Sequence, residues 1–216
     1  MPSMTCDKKI MLLYAVTDQA WTGRQTLYEQ VEAALRGGVT CVQLREKALD
    51  EEAFLSEAKK IHSLCRTYHV PFIIDDNAEI AVLCGADGVH VGQHDMEAKY
   101  VRTLVGENMI LGVSVQTVQQ AILAQENGAD YLGVGAVFAT STKPDADAVS
   151  RETLTAICQA VSIPVVAIGG IDAGNLPELS GTGIDGVALV SAIFSSREIE
   201  HECRRLRALS ERMVMA

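Results

Sequence analysis

Three cations stand out in this chain because hydroxyls accompany them. Arg45 and Lys47 lie two apart in Gln43-Leu44-Arg45-Glu46-Lys47, and Lys143 ends the run Thr140-Ser141-Thr142-Lys143. Guanidinium and ammonium groups with hydroxyl donors, Ser114 among them, make an anion site suited to phosphate oxygens. Asp76 and Asp95 are expected beside that site. Carboxylates facing bound anions make sense mainly when a hard cation bridges them, and Mg2+ held by one or two carboxylates plus substrate phosphates is the ordinary case. The competing reading is N-capping of the following helices, for which Asp95 before Met96-Glu97-Ala98 is well placed. A second anion site is expected where Ala167-Ile168-Gly169-Gly170-Ile171 lets backbone approach a ligand and Val190-Ser191-Ala192-Ile193 offers a helix start; paired glycines alone would mean only a tight turn. A metal-assisted diphosphate site beside a monophosphate site describes a two-substrate transferase that releases diphosphate. The residues alone name neither the carbon transferred nor the group that attacks it.

Such groups must be held by something, and the chain carries a regular frame for them. Short apolar runs recur at Met11 to Val16, Val39 to Leu44, Pro71 to Ile74, Gly88 to Val91, Met109 to Val113, Tyr131 to Val134, Pro164 to Ile168 and Gly186 to Val190. They are near-continuous in Val, Ile and Leu, as strands covered on both faces are. Stretches with helical spacing lie between them, for example Leu27, Val31, Ala34 and Leu35; Phe54, Leu55, Ala58, Ile61 and Leu64; and Val118, Ile122 and Leu123. Eight βα units predict an α/β fold, a single-domain (β/α)8 TIM barrel over 1–216 with 1–9 a loose N-terminal segment. A doubly wound open sheet is disfavoured because no Gly-x-Gly-x-x-Gly follows the first strand. In a barrel the C-terminal strand ends carry the chemistry, and every strand from the second to the eighth ends in one of the polar groups above. The repeated Gly-Ala-Asp and Gly-Ile-Asp at 85–87, 128–130 and 183–185 supplies a helix C-cap glycine and then an aspartate at a strand entrance.

Composition narrows the partners. The chain has 216 residues, 48% of them hydrophobic, and a formal charge of -10. That is enough chain to bury a sizeable core, and the charge repels nucleic acid and anionic membrane surfaces. No apolar stretch approaches the roughly 20 residues of a membrane span, and the first residues do not read as a secretory signal, so a cytoplasmic protein is expected. The six cysteines are widely spaced, with no Cys-x-x-Cys, and read as thiols in a reducing compartment. His90 and His94 flank strand and loop, which removes the helical face that makes such pairs bind zinc; His90 and Cys84 are expected to be structural. Arg197 to Arg212, rich in both charge signs, reads as an outer helix able to support a homo-oligomer.

At these residues the sequence resembles the thiamine-phosphate synthase family. The resemblance runs through Tyr14-Ala15-Val16-Thr17-Asp18, Gln43 to Lys47, Asp75-Asp76-Asn77, Asp87 to Gln93, Gly112-Val113-Ser114, Gly133 to Phe138, Thr140 to Lys143 and Gly169-Gly170-Ile171. It implies a barrel enzyme that joins 4-amino-2-methyl-5-hydroxymethylpyrimidine diphosphate to 4-methyl-5-(2-phosphoethyl)thiazole, with Mg2+, through a dissociative pyrimidine carbocation. By that pattern Gln43, Leu44, Arg45, Glu46, Lys47, Asp75, Ser114 and Lys143 contact the pyrimidine diphosphate. Arg45, Lys47, Lys143 and Ser114 are the catalytic set. Asp76 and Asp95 bind Mg2+, and Thr140, Ser141, Thr142, Gly170, Val190 and Ser191 hold the thiazole phosphate. The chain departs from the family at Asp75, where Asn is common, and at Ala139, where Pro often precedes the Thr-Ser-Thr run. Other readings are a thiazole tautomerase of similar fold, a non-catalytic thiazole-phosphate-binding barrel, and a sugar-phosphate isomerase. None of them needs Arg45, Lys47, Lys143, Asp76 and Asp95 together.

Overall fold

The computed structural model describes residues 6–93, 97–140 and 148–215. Eight parallel strands, β1 (Leu13–Val16), β2 (Cys41–Leu44), β3 (Phe72–Asp75), β4 (Gly88–Val91), β5 (Ile110–Val115), β6 (Tyr131–Val134), β7 (Val165–Ile168) and β8 (Gly186–Leu189), pair in sequence order. β8 pairs back on β1, so the sheet closes into a barrel. The outer layer holds α1 (Leu27–Arg36), α2 (Glu51–Thr67), α3 (Ala78–Cys84), α4 (Ala98–Val105), α5 (Val118–Glu126), α6 (Arg151–Ala160), the short α7 (Ser191–Phe194) and α8 (Ile199–Met215). The expected fold is therefore present with one local difference. β7 and β8 are joined by a 3-10 turn, Leu176–Leu179, in which Pro177 sits at the start and no α-helix forms.

The period-two alternation of strand side chains divides the core. Leu13, Ala15, Val42, Leu44, Phe72, Ile74, Val89 and Leu132 face outward against the helices. Tyr14, Val16, Cys41, Ile73, Ile110, Tyr131, Val166 and Ala188 face inward. The expected helical faces are buried as well, with one revision at α5, where Ala121 and Ala124 face the barrel while Ile122 and Leu123 lie outside. Alanine lets that helix approach the sheet more closely than the larger pair would. Asp7 caps the 3-10 helix Lys8–Met11, and Lys8 pairs with Asp185 at 2.8 Å. Of the segment 1–9, expected to be loose, residues 1–5 lie outside the described residues, and 6–9 lead into Met11, whose carbonyl oxygen would lie 1.9 Å from a Cβ on Gly186.

The floor of the barrel repeats one device four times. The side chain just before each even-numbered strand accepts a hydrogen bond from the first residue, or in β5 the second, of the odd-numbered strand before it. Thr40 Oγ1 takes Leu13 N–H at 2.9 Å, Asp87 takes Phe72 N–H at 2.9 Å, Asp130 takes Leu111 N–H at 2.8 Å and Asp185 takes Val165 N–H at 2.9 Å. The Gly-Ala-Asp and Gly-Ile-Asp repeats are thus explained by strand ends that need acceptors as well as by helix caps. Asp130 also pairs with Arg102, whose side chain is 12% exposed and which binds the carbonyls of Gly106, Met109 and Gly128. Asp130→Ala should cost about 2–3 kcal/mol, the range for losing hydrogen bonds to a charged group. Chemical denaturation checks this, and an unchanged midpoint would remove the clamp as a stabilising element.

Candidate active site

The C-terminal strand ends surround a cleft of about 500 Å3. Strand alternation decides which members of the Gln43 to Lys47 run reach it. Gln43, Arg45 and Lys47 line the cleft. Leu44 lies in the outer core, fully buried, and Glu46 turns away to bind the backbone. Neither of these two expected ligand contacts lines the cleft. Glu46 accepts from the N–H groups of Lys47, Ala48 and Leu49 and from Gln19 Nε2 at 2.9 Å, tying the loop after β2 to the loop after β1. Thr17, also buried, accepts the Arg45 N–H at 3.0 Å.

Cations and acids interlock at the mouth. Arg45 Nη1 meets Asp18 at 3.1 Å, and its Nε lies 3.8 Å from Asp75. Lys47 Nζ is 4.0 Å from Asp75 and forms its close ion pair with Asp76. Burial pulls the Lys47 ammonium down, but its hydrogen bond to Asp76 and the charges of Asp76 and Asp75 outweigh that and hold its pKa above the ordinary lysine value. Asp75 faces the same two cations, so its carboxylate charge is offset by Arg45 and Lys47. Asp76 has φ 61, in the left-handed region, and its N–H bonds the His90 carbonyl at 2.7 Å. Asn77, not Asp76, caps α3 through Ile80 N–H at 2.9 Å. Capping therefore does not account for Asp76, and an aspartate held in a sparsely populated backbone region at a cleft fits a binding role. Asp95 lies outside the described residues.

Ser114 lines the cleft opposite, at the end of β5, with its Oγ 2.8 Å from His90 Nε2. On the far wall Thr140, Gly170, Val190 and Ser191 also line the cleft, whereas Ser141, Thr142 and Lys143 lie outside the described residues. Gly169 and Gly170 have φ of 100 and 65. A Cβ on Gly170 would lie 2.3 Å from the Ala139 carbonyl oxygen, and one on Gly169 2.6 Å from Ala136. These glycines let the loops after β6 and β7 touch, which brings the Thr140 segment to the same wall. Sequence reasoning gave no role to Asp18 or Gln93, although both stand in the quoted motifs, and did not single out Gln116. Gln93 Nε2 donates to the Ser114 carbonyl at 2.8 Å, and Gln116 lines the cleft. Their signal was position alone, just past a strand end.

Among the described residues no three His, Cys, Asp or Glu side chains form a ready cation cage. The oxygen donors of Asp76 and Asp75 nevertheless suit Mg2+, which needs only one or two carboxylates when phosphates complete its shell. Lys47 Nζ on Asp76 already puts a positive charge at that carboxylate. All six cysteines are free. Burial pushes Cys65 and Cys203 up to about 12, so these thiols are protonated and inert. Among the described residues, no helix is long and apolar enough to cross a membrane.

A family model described as thiamine monophosphate synthase matches residues 13–193. The chain is 52% identical over 194 residues to a thiamine-phosphate synthase of Ruminiclostridium cellulolyticum, covering 90% of this chain and 92% of that protein. It is 46% identical over 198 residues to the corresponding protein of Clostridioides difficile, covering 92% and 94%. A solved thiamine phosphate pyrophosphorylase from Pyrococcus furiosus superposes with a TM-score of 0.88 at 35% identity, covering 96% of this chain and 98% of that one.

Burial raises the Glu46 pKa, but the hydrogen bonds from Ala48, Gln19, Leu49 and Lys47 outweigh it and hold the carboxyl below the ordinary glutamate value. Stability from this group is therefore present above the ordinary value, near pH 4.5, and is lost as pH falls through the depressed folded value. Glu46→Gln should be less stable than the parent by about 1–2 kcal/mol at pH 7, with the gap closing in that acid window. Thermal unfolding against pH measures it; a gap that persists at low pH would mean the carboxylate's charge is not what holds the loop.

Proposed function

The chain belongs to the thiamine monophosphate synthase family, and on that premise we propose which of its residues carry out the reaction and with what metal. It is a thiamine-phosphate synthase, a transferase of thiamine biosynthesis. The substrates on this reading are 4-amino-2-methyl-5-hydroxymethylpyrimidine diphosphate and 4-methyl-5-(2-phosphoethyl)thiazole. The observation that carries the residue assignment is the cluster of Arg45, Lys47, Asp75 and Asp76 on one side of a cleft whose other side holds Ser114, Thr140 and Gly170.

The bond between the pyrimidine's exocyclic CH2 and the diphosphate oxygen breaks, its electron pair leaving with diphosphate. The carbocation left behind is captured by the thiazole nitrogen, whose lone pair forms the new C–N bond. No protein nucleophile is required. Arg45, Lys47 and Lys143 stabilise the charge that develops on the leaving group, an electrostatic contribution. Lys47, displaced from Asp76, turns its ammonium to the diphosphate, while Gln43, Asp75 and Ser114 orient the pyrimidine. Thr140, Ser141, Thr142, Gly170, Val190 and Ser191 hold the thiazole phosphate. Asp76, with Asp95, holds Mg2+, which when bound supplies charge neutralisation to the diphosphate. The chain acts as one domain in the cytoplasm, where free thiols are the norm. Exposed Leu83, Tyr100, Leu104 and Leu123 on α3, α4 and α5 give a homo-oligomer an apolar face on the outer wall.

Purified protein with both substrates should form thiamine phosphate, followed as fluorescent thiochrome, only when Mg2+ is present, and chelation should stop it. Product in full yield after chelation would remove the metal. No product with the thiazole phosphate still bound would favour the tautomerase or binding-protein alternative. Asp76→Asn keeps a residue that tolerates the left-handed backbone while removing its charge, and should raise the Mg2+ needed for half activity by roughly tenfold, about the worth of one charged ligand contact. An unchanged Mg2+ titration would exclude Asp76 as a ligand.

A further inference from the structure

Beneath the cleft, five polar side chains from five strands form one continuous hydrogen-bonded chain through the barrel interior. Gln43 Nε2 donates to Tyr14 Oη at 2.8 Å, and Tyr14 Oη meets Tyr131 Oη at 2.8 Å. Tyr131 Oη meets His90 Nδ1 at 2.9 Å, and His90 Nε2 meets Ser114 Oγ at 2.8 Å. Both phenols are fully buried, at 1% and 0% exposure. The space for this chain is carved by glycine. A Cβ on Gly112 would lie 2.2 Å from Tyr131 Cζ and 2.4 Å from His90 Nδ1, and one on Gly133 3.1 Å from His90 Cε1. The two rings stack obliquely with centroids 5.4 Å apart.

Each phenol has one proton, so the chain can run in only two directions. With Gln43 donating, Tyr14 accepts and passes its own proton toward Tyr131, and Tyr131 donates to His90 Nδ1. Nδ1 is then the acceptor, Nε2 carries the ring hydrogen, and Ser114 Oγ accepts it. The Ser114 hydroxyl proton is left to point elsewhere, and Gln43 keeps its carbonyl oxygen Oε1 as an acceptor, beside the second hydrogen of Nε2.

We propose that Tyr14, Tyr131 and His90 are positioning residues that couple Gln43 to Ser114, so that the cleft presents an acceptor at Gln43 Oε1 and a donor at Ser114 O–H as one linked pair. Reversing either end requires reversing every hydrogen bond between them. Such a pair is selective for a heteroaromatic ring bearing an N–H donor and a ring-nitrogen acceptor, and it penalises a ring of the opposite pattern because a buried group would lose its partner. The proposal rests on the assignment of Gln43 and Ser114 to the pyrimidine end of the site. Burial above all raises both phenols well above the ordinary tyrosine value, so neither ionises to break the chain.

The test is the nitrogen NMR spectrum of 15N-histidine-labelled full-length enzyme without ligand, with the His90 signals assigned by their loss in His90→Gln. Expected are an unprotonated Nδ1 and a protonated Nε2; protonated Nδ1, or a mixture of tautomers, overturns the stated polarity. Tyr131→Phe keeps the ring and removes the hydroxyl, and should release His90 into a mixture. It should also raise the KM for the pyrimidine diphosphate roughly five- to tenfold, the worth of one lost hydrogen bond, with the KM for the thiazole phosphate and kcat little changed. An unmoved tautomer and unmoved KM overturn the coupling. Tyr14→Phe breaks the same chain at its other phenol and is read in the same way if the Tyr131 variant does not fold. The ligand-free spectrum is independent of turnover. Wrong tautomer with normal turnover therefore defeats the relay alone, and the right tautomer with a pyrimidine KM insensitive to Gln43→Ala and Ser114→Ala defeats the site assignment.

Discussion

A polar side chain inside a barrel costs several kcal/mol unless it is hydrogen-bonded, and this barrel holds two phenols, an imidazole and an amide. That requirement explains features that otherwise look unrelated. Glycine stands at 112 and 133 because Tyr131 and His90 occupy the space a side chain would take. Ser114 and Gln43 sit at the ends of the chain because the cleft is where an unspent donor or acceptor is useful. The apolar layer of Met11, Ile73, Ile110 and Val166 beneath it keeps water from competing for the same bonds.

Electrostatics at the mouth follow the same rule of satisfied partners. A protein of net charge -10 binds two anionic substrates only by gathering its cations locally, and gathered cations need holding when the site is empty. Asp18, Asp75 and Asp76 do this for Arg45 and Lys47. On the proposed assignment, phosphate oxygens would take the place of these acids, one set of ion pairs for another, so the cations would not be left bare. The loop that carries them is held from behind by Glu46, whose three backbone hydrogen bonds fix it independently of any ligand.

The barrel was legible in the sequence because eight runs of Val, Ile and Leu separated by helical spacing admit few other arrangements. Strand ends shifted by a residue or two: at β1 the apolar run starts before pairing does, whereas at β5 pairing runs on through Ser114 and Val115 past the apolar run. Local choices were harder to read. The run Gln43 to Lys47 does not announce that Leu44 and Glu46 turn away, although strict alternation from Gln43 gives that answer once the strand's phase is known. Ile122 and Leu123 suggest an inward face for α5, but the alanines beside them take it. The buried chain was the least legible part. Tyr14, His90 and Tyr131 each look like ordinary core residues, and only closure of the barrel brings together positions 117 and 41 residues apart.

The floor clamps differ from that chain in how far along the sequence they reach. Each joins residues only 15 to 27 positions apart, within a single strand-helix-strand unit, so its loop-closure entropy is small. Four quarter-barrels can therefore acquire their strand pairing early and separately, as short-range contacts generally do. The hydrogen bond between Tyr14 and Tyr131 must await the meeting of the first and sixth strands. The donor and acceptor pattern of the cleft is thus set only when the ring of strands shuts, and a partly assembled barrel carries the scaffold of the enzyme without its selectivity.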